Sequence, residues 1–295
     1  MTGNPAEGAR PADAGRAPAP TGAGTAAAVT DAPLLQLHGI TKNFGPVQAL
    51  SGVDLDVLAG QVTALVGDNG AGKSTLIKTV SGIFEPSAGE ILWQGRRVHF
   101  RSPKDATDAG IATVYQDLAL CDNLDIVQNM LLGHEVTRRL LLDEVTMEQT
   151  AKKTLSDLRV TTVRNIRQLV GSLSGGQRQA IAVAKAVIQD AKLVIMDEPT
   201  AALGVTQTAL VLDLIKSLAS HGTAVLVISH NLTDVFQVAD RLAVLFLGRL
   251  VSAGPVSDYD TASAVDLMTT GASYRTLNGG STVGTVGRPD SVPEG

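Results

Sequence analysis

The chain has 295 residues, 44% of them hydrophobic, with 24 basic and 29 acidic side chains and a formal net charge of −5. That is enough for one large domain or two small ones with a sizeable core, and its charge disfavours a protein built to grip nucleic acid. The single cysteine, Cys121, excludes an intrachain disulfide and fits a reducing compartment. No apolar run approaches the ~20 residues that span a bilayer, and no secretory signal is visible, so any membrane role is expected from the surface. Residues 1–32, rich in Ala, Pro and Gly, read as a disordered tail, and residues 271–295 read the same way. The folded part is therefore expected over 33–270. "LLQLHGI" (34–40), "ALSGVDLDVL" (49–58) and "GEILWQG" (89–95) read as antiparallel strands between glycine turns. Among them "QVTALVG" (61–67) is an apolar strand running into a glycine-rich loop and a helix. The stretch 117–190 changes to helical patterning, as in "DEVTMEQTAKKTLSDL" (143–158). "AKLVIMD" (191–197) and "TAVLVIS" (223–229) are continuous apolar runs, as expected of strands buried on both faces. A periodic helix (206–220) separates them, and "DRLAVLFLGRLV" (240–251) reads as a hairpin. The organisation is α/β with a helical insertion.

The loop "GDNGAGKST", comprising Gly67, Asp68, Asn69, Gly70, Ala71, Gly72, Lys73, Ser74 and Thr75, matches the phosphate-loop pattern. Glycines let the backbone wrap an anion closely with its amides turned inward. Lys73 offers a compact charge to the outer phosphates, and the Ser74 hydroxyl suits Mg²⁺. In "LVIMDEPT" (193–200) a buried strand ends in paired acids, where open α/β sheets place their ligands. Asp197 suits the metal; Glu198 suits the general base that polarises the attacking water. His230 ends the next apolar strand and can bond a γ-phosphate or hold water and base in line. Gln116 follows a short apolar run; its amide can touch Mg²⁺ or water, or be an ordinary solvated loop residue. Phe44 can stack on a base or belong to the core of the β-rich part.

A second glycine pair stands in "LSGGQRQ" (173–179). Ser174 and Gln177 have the spacing of a capping box at a helix start. A cap alone does not call for Gly175 and Gly176, each of which costs a helix roughly 1 kcal/mol against alanine. The pair is expected to let something approach the amides. With no lysine beside it, it reads as half of a phosphate site, completed by a second copy of the chain in a twofold dimer.

Taken in order, "GDNGAGKST", Gln116, "LSGGQ", "LVIMDEPT" and His230 resemble the nucleotide-binding cassette of ABC transporters over about 34–270. The resemblance implies a P-loop ATPase with a RecA-like parallel-sheet core, an N-terminal antiparallel β-subdomain and an inserted helical subdomain. It implies an ATP sandwich between two cassettes, with Phe44 stacking on adenine and Gln116 in the Q-loop. It also implies a permease-docking surface on the insertion. "TVYQDLALCDNLDIVQNMLLG" and "DEPTAALGV" further resemble the ATPases of bacterial monosaccharide importers of the ribose, xylose and fructose group. Such a subunit would hydrolyse ATP with Mg²⁺ at the cytoplasmic face of the membrane, as one of a pair of cassettes. Its partners would be permease subunits and, indirectly, an extracytoplasmic sugar-binding protein. Gly204 stands where ABC proteins commonly carry Asp, which puts any cross-dimer contact of that residue in doubt. A soluble ABC ATPase acting on ribosomes or DNA is disfavoured by charge and by the single cassette. An exporter is disfavoured only through the resemblance.

Overall fold

The computed structural model describes residues 32–139 and 141–272. The two terminal stretches expected as tails lie almost wholly outside these residues.

Strands β1 (Pro33–Phe44) and β2 (Val47–Leu58) form a long antiparallel pair, followed by the buried strand β3 (Val62–Val66) and helix α1 (Lys73–Val80). Next come β4 (Ala88–Trp93), β5 (Arg96–Val98), the short helix α2 (Pro103–Asp108) and strand β6 (Ile111–Val114). Helix α3 (Ile126–Leu131), the small hairpin β7 (Thr137–Arg138) and β8 (Leu141–Leu142), α4 (Glu144–Asp157) and α5 (Gly175–Ile188) follow. The last third is β9 (Leu193–Asp197), α6 (Val205–Ser220), β10 (Ala224–Ile228), α7 (Leu232–Val238), β11 (Arg241–Phe246), β12 (Arg249–Pro255) and α8 (Thr261–Thr270).

Two sheets organise the chain. One is antiparallel, in the order β2-β1-β4-β5; the other has six strands in the order β12-β11-β3-β10-β9-β6. Within the second, β11, β3, β10, β9 and β6 run parallel and only the edge strand β12 is antiparallel. The apolar runs are continuous because both faces are covered. Leu193 and Ile195 of β9, with Leu226 and Ile228 of β10, pack toward the antiparallel sheet and α1. The alternate residues Val194, Met196, Val225 and Val227 pack against α5 and α6 on the other face. That is the two-residue period of a strand read on both of its faces.

The segment expected to be helical carries α3, α4 and α5, and also the β7–β8 hairpin, which the helical patterning does not announce. Helix α4 buries Met147, Ala151 and Leu155, one residue every turn, and Asp143 caps it by accepting from the Thr146 amide. Arg167 ties the insertion together: its guanidinium meets Asp125 at the start of α3 and Glu144 and Glu148 on α4. Among the described residues no helix is long and apolar enough to cross a membrane.

Candidate functional site

The carboxyl ends of β3, β6, β9 and β11 open on a cleft of about 550 Å³ lined by Asn69, Gly70, Gly72, Lys73, Ser74, Thr75, Gln116, Asp197 and Glu198. Val47, Gln48, Ala49, Leu247 and Gly248 complete its rim. The loop from Gly67 to Gly72 is packed from below. A Cβ at Gly67 would run into the Leu245 carbonyl, and one at Gly72 would lie 2.8 Å from the Ala49 carbonyl oxygen. Gly72 is also the N-cap of α1, at φ +105°, with no side-chain cap. A side chain there would be both strained and crowded. The amides of Lys73, Ser74 and Thr75 meet no acceptor among the described residues. This helix start therefore presents free donors and the positive end of its dipole to the cleft.

Lys73 is only 8% exposed. Its ammonium donates to the carbonyls of Gly67 (2.7 Å) and Asp68 (3.0 Å), closing the loop on itself. Burial pulls its pKa below the ordinary lysine value, against the opposing pull of Glu198, Asp68 and Asp197. At Asp197 burial raises the carboxyl above its ordinary value, and the neighbouring Glu198 charge adds to this. The Asp197 carboxylate, the Ser74 hydroxyl and the Gln116 amide bring three oxygen donors to one cleft, the chemistry a small hard cation takes. Among the described residues no group of three or more His, Cys, Asp or Glu is placed to hold a metal.

Glu198 follows β9 directly and adopts φ +49°, a left-handed conformation that costs a side chain of this kind about 1–2 kcal/mol. Its amide donates to the Ile228 carbonyl at 2.9 Å, pinning that turn to the end of β10. His230 comes two residues later, and its Nδ1 lies 2.8 Å from Glu198 Oε1. The strand neighbours β9 and β10 thus bring Glu198 and His230 into contact across 32 positions of sequence.

Phe44 does not line the cleft. It is 43% exposed, its ring meets Phe84 edge-on at 5.1 Å, and Lys42 Nζ stands 5.2 Å from its centroid. Its hairpin partner Val47 does reach the cleft rim. The rim residues Val47 and Leu247, 62% and 73% exposed, escape the sequence reading. Their one signal is a large apolar residue beside Gly or Pro in a hairpin turn.

Residues Ser174 to Gln177 do not line the Lys73 cleft either. Ser174 caps α5 in a full capping box: its Oγ accepts from the Gln177 amide at 3.4 Å, and Gln177 Oε1 accepts from the Ser174 amide at 3.0 Å. Gln177 Nε2 also donates to the Thr162 carbonyl at 2.8 Å. A Cβ on Gly175 would lie 2.7 Å from Leu203 Cδ2, and one on Gly176 3.1 Å from Gln207 Cβ. Close packing against Gln207 of α6 gives Gly176 a reason inside the chain, whereas at Gly175 the neighbour is the end of a flexible leucine that can turn aside.

A family model described as ABC transporter matches residues 50–201. The chain is 46% identical to the fructose import ATP-binding protein FrcA of Rhizobium meliloti, over 80% of this chain and 94% of that one. It is 44% identical to the xylose/arabinose import ATP-binding protein XylG of Sulfolobus acidocaldarius, with the same coverage. A ribose import ATP-binding protein of Rubrobacter xylanophilus is 42% identical, but the match spans only 47% of its length. Among solved structures, the ADP conformation of MJ1267, an ATP-binding cassette of an ABC transporter, aligns with a TM-score of 0.70 at 26% identity, covering 81% of this chain and 96% of that one.

Proposed function

The chain belongs to the ABC transporter family, whose ATP-binding cassettes hydrolyse ATP, and from that premise we propose that it drives a monosaccharide importer. The observation that carries the reading is the division of parts. Lys73, Asp197, Glu198 and Gln116 share one cleft, and Ser174 stands outside it. In this reading ATP lies along the loop 67–75, its phosphates on the free amides at the start of α1. Lys73 exchanges its two carbonyl contacts for the outer phosphates. Glu198 takes the proton of the attacking water, and His230, bonded to Glu198, keeps that carboxylate aimed. Asp197, Ser74 and Gln116 would hold Mg²⁺, which when bound offsets phosphate charge. Phe44, at the tip of its hairpin, reaches adenine only if the base extends past Val47.

Ser174, Gly175, Gly176 and Gln177 serve the ATP held by a second cassette, in a twofold dimer. Permease subunits dock on the insertion, where Leu141, Leu142 and Val145 are exposed by 75%, 55% and 68%. In this reading the protein works at the cytoplasmic face of the membrane. The named activities of the relatives support a pentose or hexose as cargo, delivered to the permease by an extracytoplasmic binding protein.

The test is Glu198→Gln. Turnover should fall by about 10²–10⁴-fold, ATP should still bind, and size exclusion with ATP should trap a dimer. Turnover at the wild-type rate would remove Glu198 from the base role. Full-rate hydrolysis by a strict monomer would remove the shared site.

A further inference from the structure

The lining of the Lys73 cleft divides in two. From the phosphate loop to Gln116, Asp197 and Glu198 it is polar and charged; at Val47 to Ala49, Leu247 and Gly248 it carries no charge. Leu247 stands out in the second half. Phe246 pairs with Arg249, so β11 and β12 join through a two-residue turn, Leu247 and Gly248, at φ +45° and +79°. Such turns favour Asn or Asp before Gly, because a large apolar side chain is strained in a left-handed conformation. The turn between β4 and β5 has the same form, with Gln94 and Gly95 at φ +52° and +73° and an exposed polar residue in first place. Gln94 lies outside the cleft, whereas Leu247 lines it. The strain at Leu247 is not offset by burial, since the side chain is 73% exposed. The turn itself is fixed to the phosphate loop. The Gly248 amide donates to the Ala71 carbonyl at 2.9 Å, and its carbonyl accepts from the Ser51 amide at 2.8 Å. A Cβ on Gly248 would lie 2.7 Å from the Ala49 carbonyl oxygen, so the glycine is required there. A strained, unburied leucine held rigidly at a cleft points to contact with what the cleft binds.

We propose that Leu247 is a binding residue for the nucleoside end of the nucleotide, closing with Val47 on its ribose and base. This rests on the reading that the cleft holds ATP. A triphosphate on Lys73 and the open amides of α1 leaves the uncharged half of the lining for the uncharged half of the ligand. Val47 is 62% exposed on the same rim, so the two side chains offer the nucleoside apolar surface that the fold itself does not cover. Leucine and valine press on the faces of a base and offer no hydrogen bond to its edge. The clip therefore holds purine nucleoside triphosphates alike, ATP and GTP, and adds nothing to the binding of the phosphates.

The test titrates ATP, GTP and inorganic tripolyphosphate into the full chain by calorimetry without added Mg²⁺, so that no ligand is turned over. The wild type is compared with Leu247→Asn. Asparagine is the residue that the turn prefers, so the variant should fold, with a Tm equal to or above that of the wild type. ATP and GTP should each bind the variant at least fivefold more weakly, while tripolyphosphate should bind within twofold of the wild type. Unchanged ATP affinity overturns the role of Leu247. If the ATP-dependent dimer seen by size exclusion is lost at the same time, the side chain belongs to contact with a second copy instead. A loss for tripolyphosphate as large as that for ATP also overturns the clip, because the variant would then have disturbed the phosphate loop. A wild type that binds neither ATP nor tripolyphosphate overturns the nucleotide reading itself, and the clip with it.

Discussion

The starts of α1 and α5 are both glycine-rich, both follow a loop and both lie within residues 50–201, the part of the chain that the family model matches. They are built in opposite ways. At α1 the N-cap is Gly72 in a left-handed conformation, no side chain caps it, and the first-turn amides are open to the cleft. At α5 a serine and a glutamine close the cap, and Gly176 is packed against Gln207. One helix start is left uncapped by its own chain, with its first amides open to an anion. The other is finished, but only by a 3.4 Å bond at the Ser174 hydroxyl, long enough to be exchanged for a better acceptor. A glycine pair at a helix start therefore has two physical causes, close approach by a ligand and close approach by a neighbouring helix. Only the neighbours tell them apart.

Substitutions can break that contrast. Gly72→Ala meets both a disfavoured φ and the Ala49 carbonyl, so nucleotide affinity, measured with a fluorescent ATP analogue, should fall by about a hundredfold, some 2.8 kcal/mol. Gly176→Ala should leave that affinity within about twofold while lowering turnover tenfold or more. An equal loss of affinity would make the two helix starts alike after all. Ser174→Ala removes a cap worth about 1 kcal/mol. Thermal denaturation should register this as a drop of about 2–4 °C, with ATP affinity unchanged.

Asp197→Asn sharpens the contrast from the acidic side and has the smallest expected effect. Burial and Glu198 hold the Asp197 carboxyl above its ordinary value, so the folded chain keeps this proton to higher pH than the unfolded chain. Stability is then lost as pH rises through the window between the two values. The amide variant escapes that loss. At pH 7.5 its Tm should be higher by up to about 2–4 °C, the equivalent of 1 kcal/mol or less once solvent screening is allowed for. The gain should vanish as pH falls to about 4. A variant that melts lower at pH 7.5 would place Asp197 among stabilising groups.

Much of this was legible before the fold was known. The runs at β3, β9 and β10 announce themselves because each strand is buried on both faces, and the loop at 67–75 is a pattern of residue types with few other uses. Helices α2 and α3 are six residues each, too short for a period to register. Their caps, Ser102 with Asp105 and Asp125 with Gln128, were the signal available. What sequence could not carry is long-range: the turn that sets Glu198 at φ +49°, the direction of the Phe44 ring, and the packing of Gly176 against Gln207.

Helix α5 has one more consequence. From Ala180 to Ala186 its buried side chains are Ala180, Ile181, Ala182, Val183, Ala184 and Ala186, in the same core as Val194 and Met196 of β9. A surface so rich in alanine lets the strands of the sheet lie close to the helix axis, with Ile181 and Val183 as its large side chains. A larger side chain at Ala184, which has no exposed surface, would overpack that core.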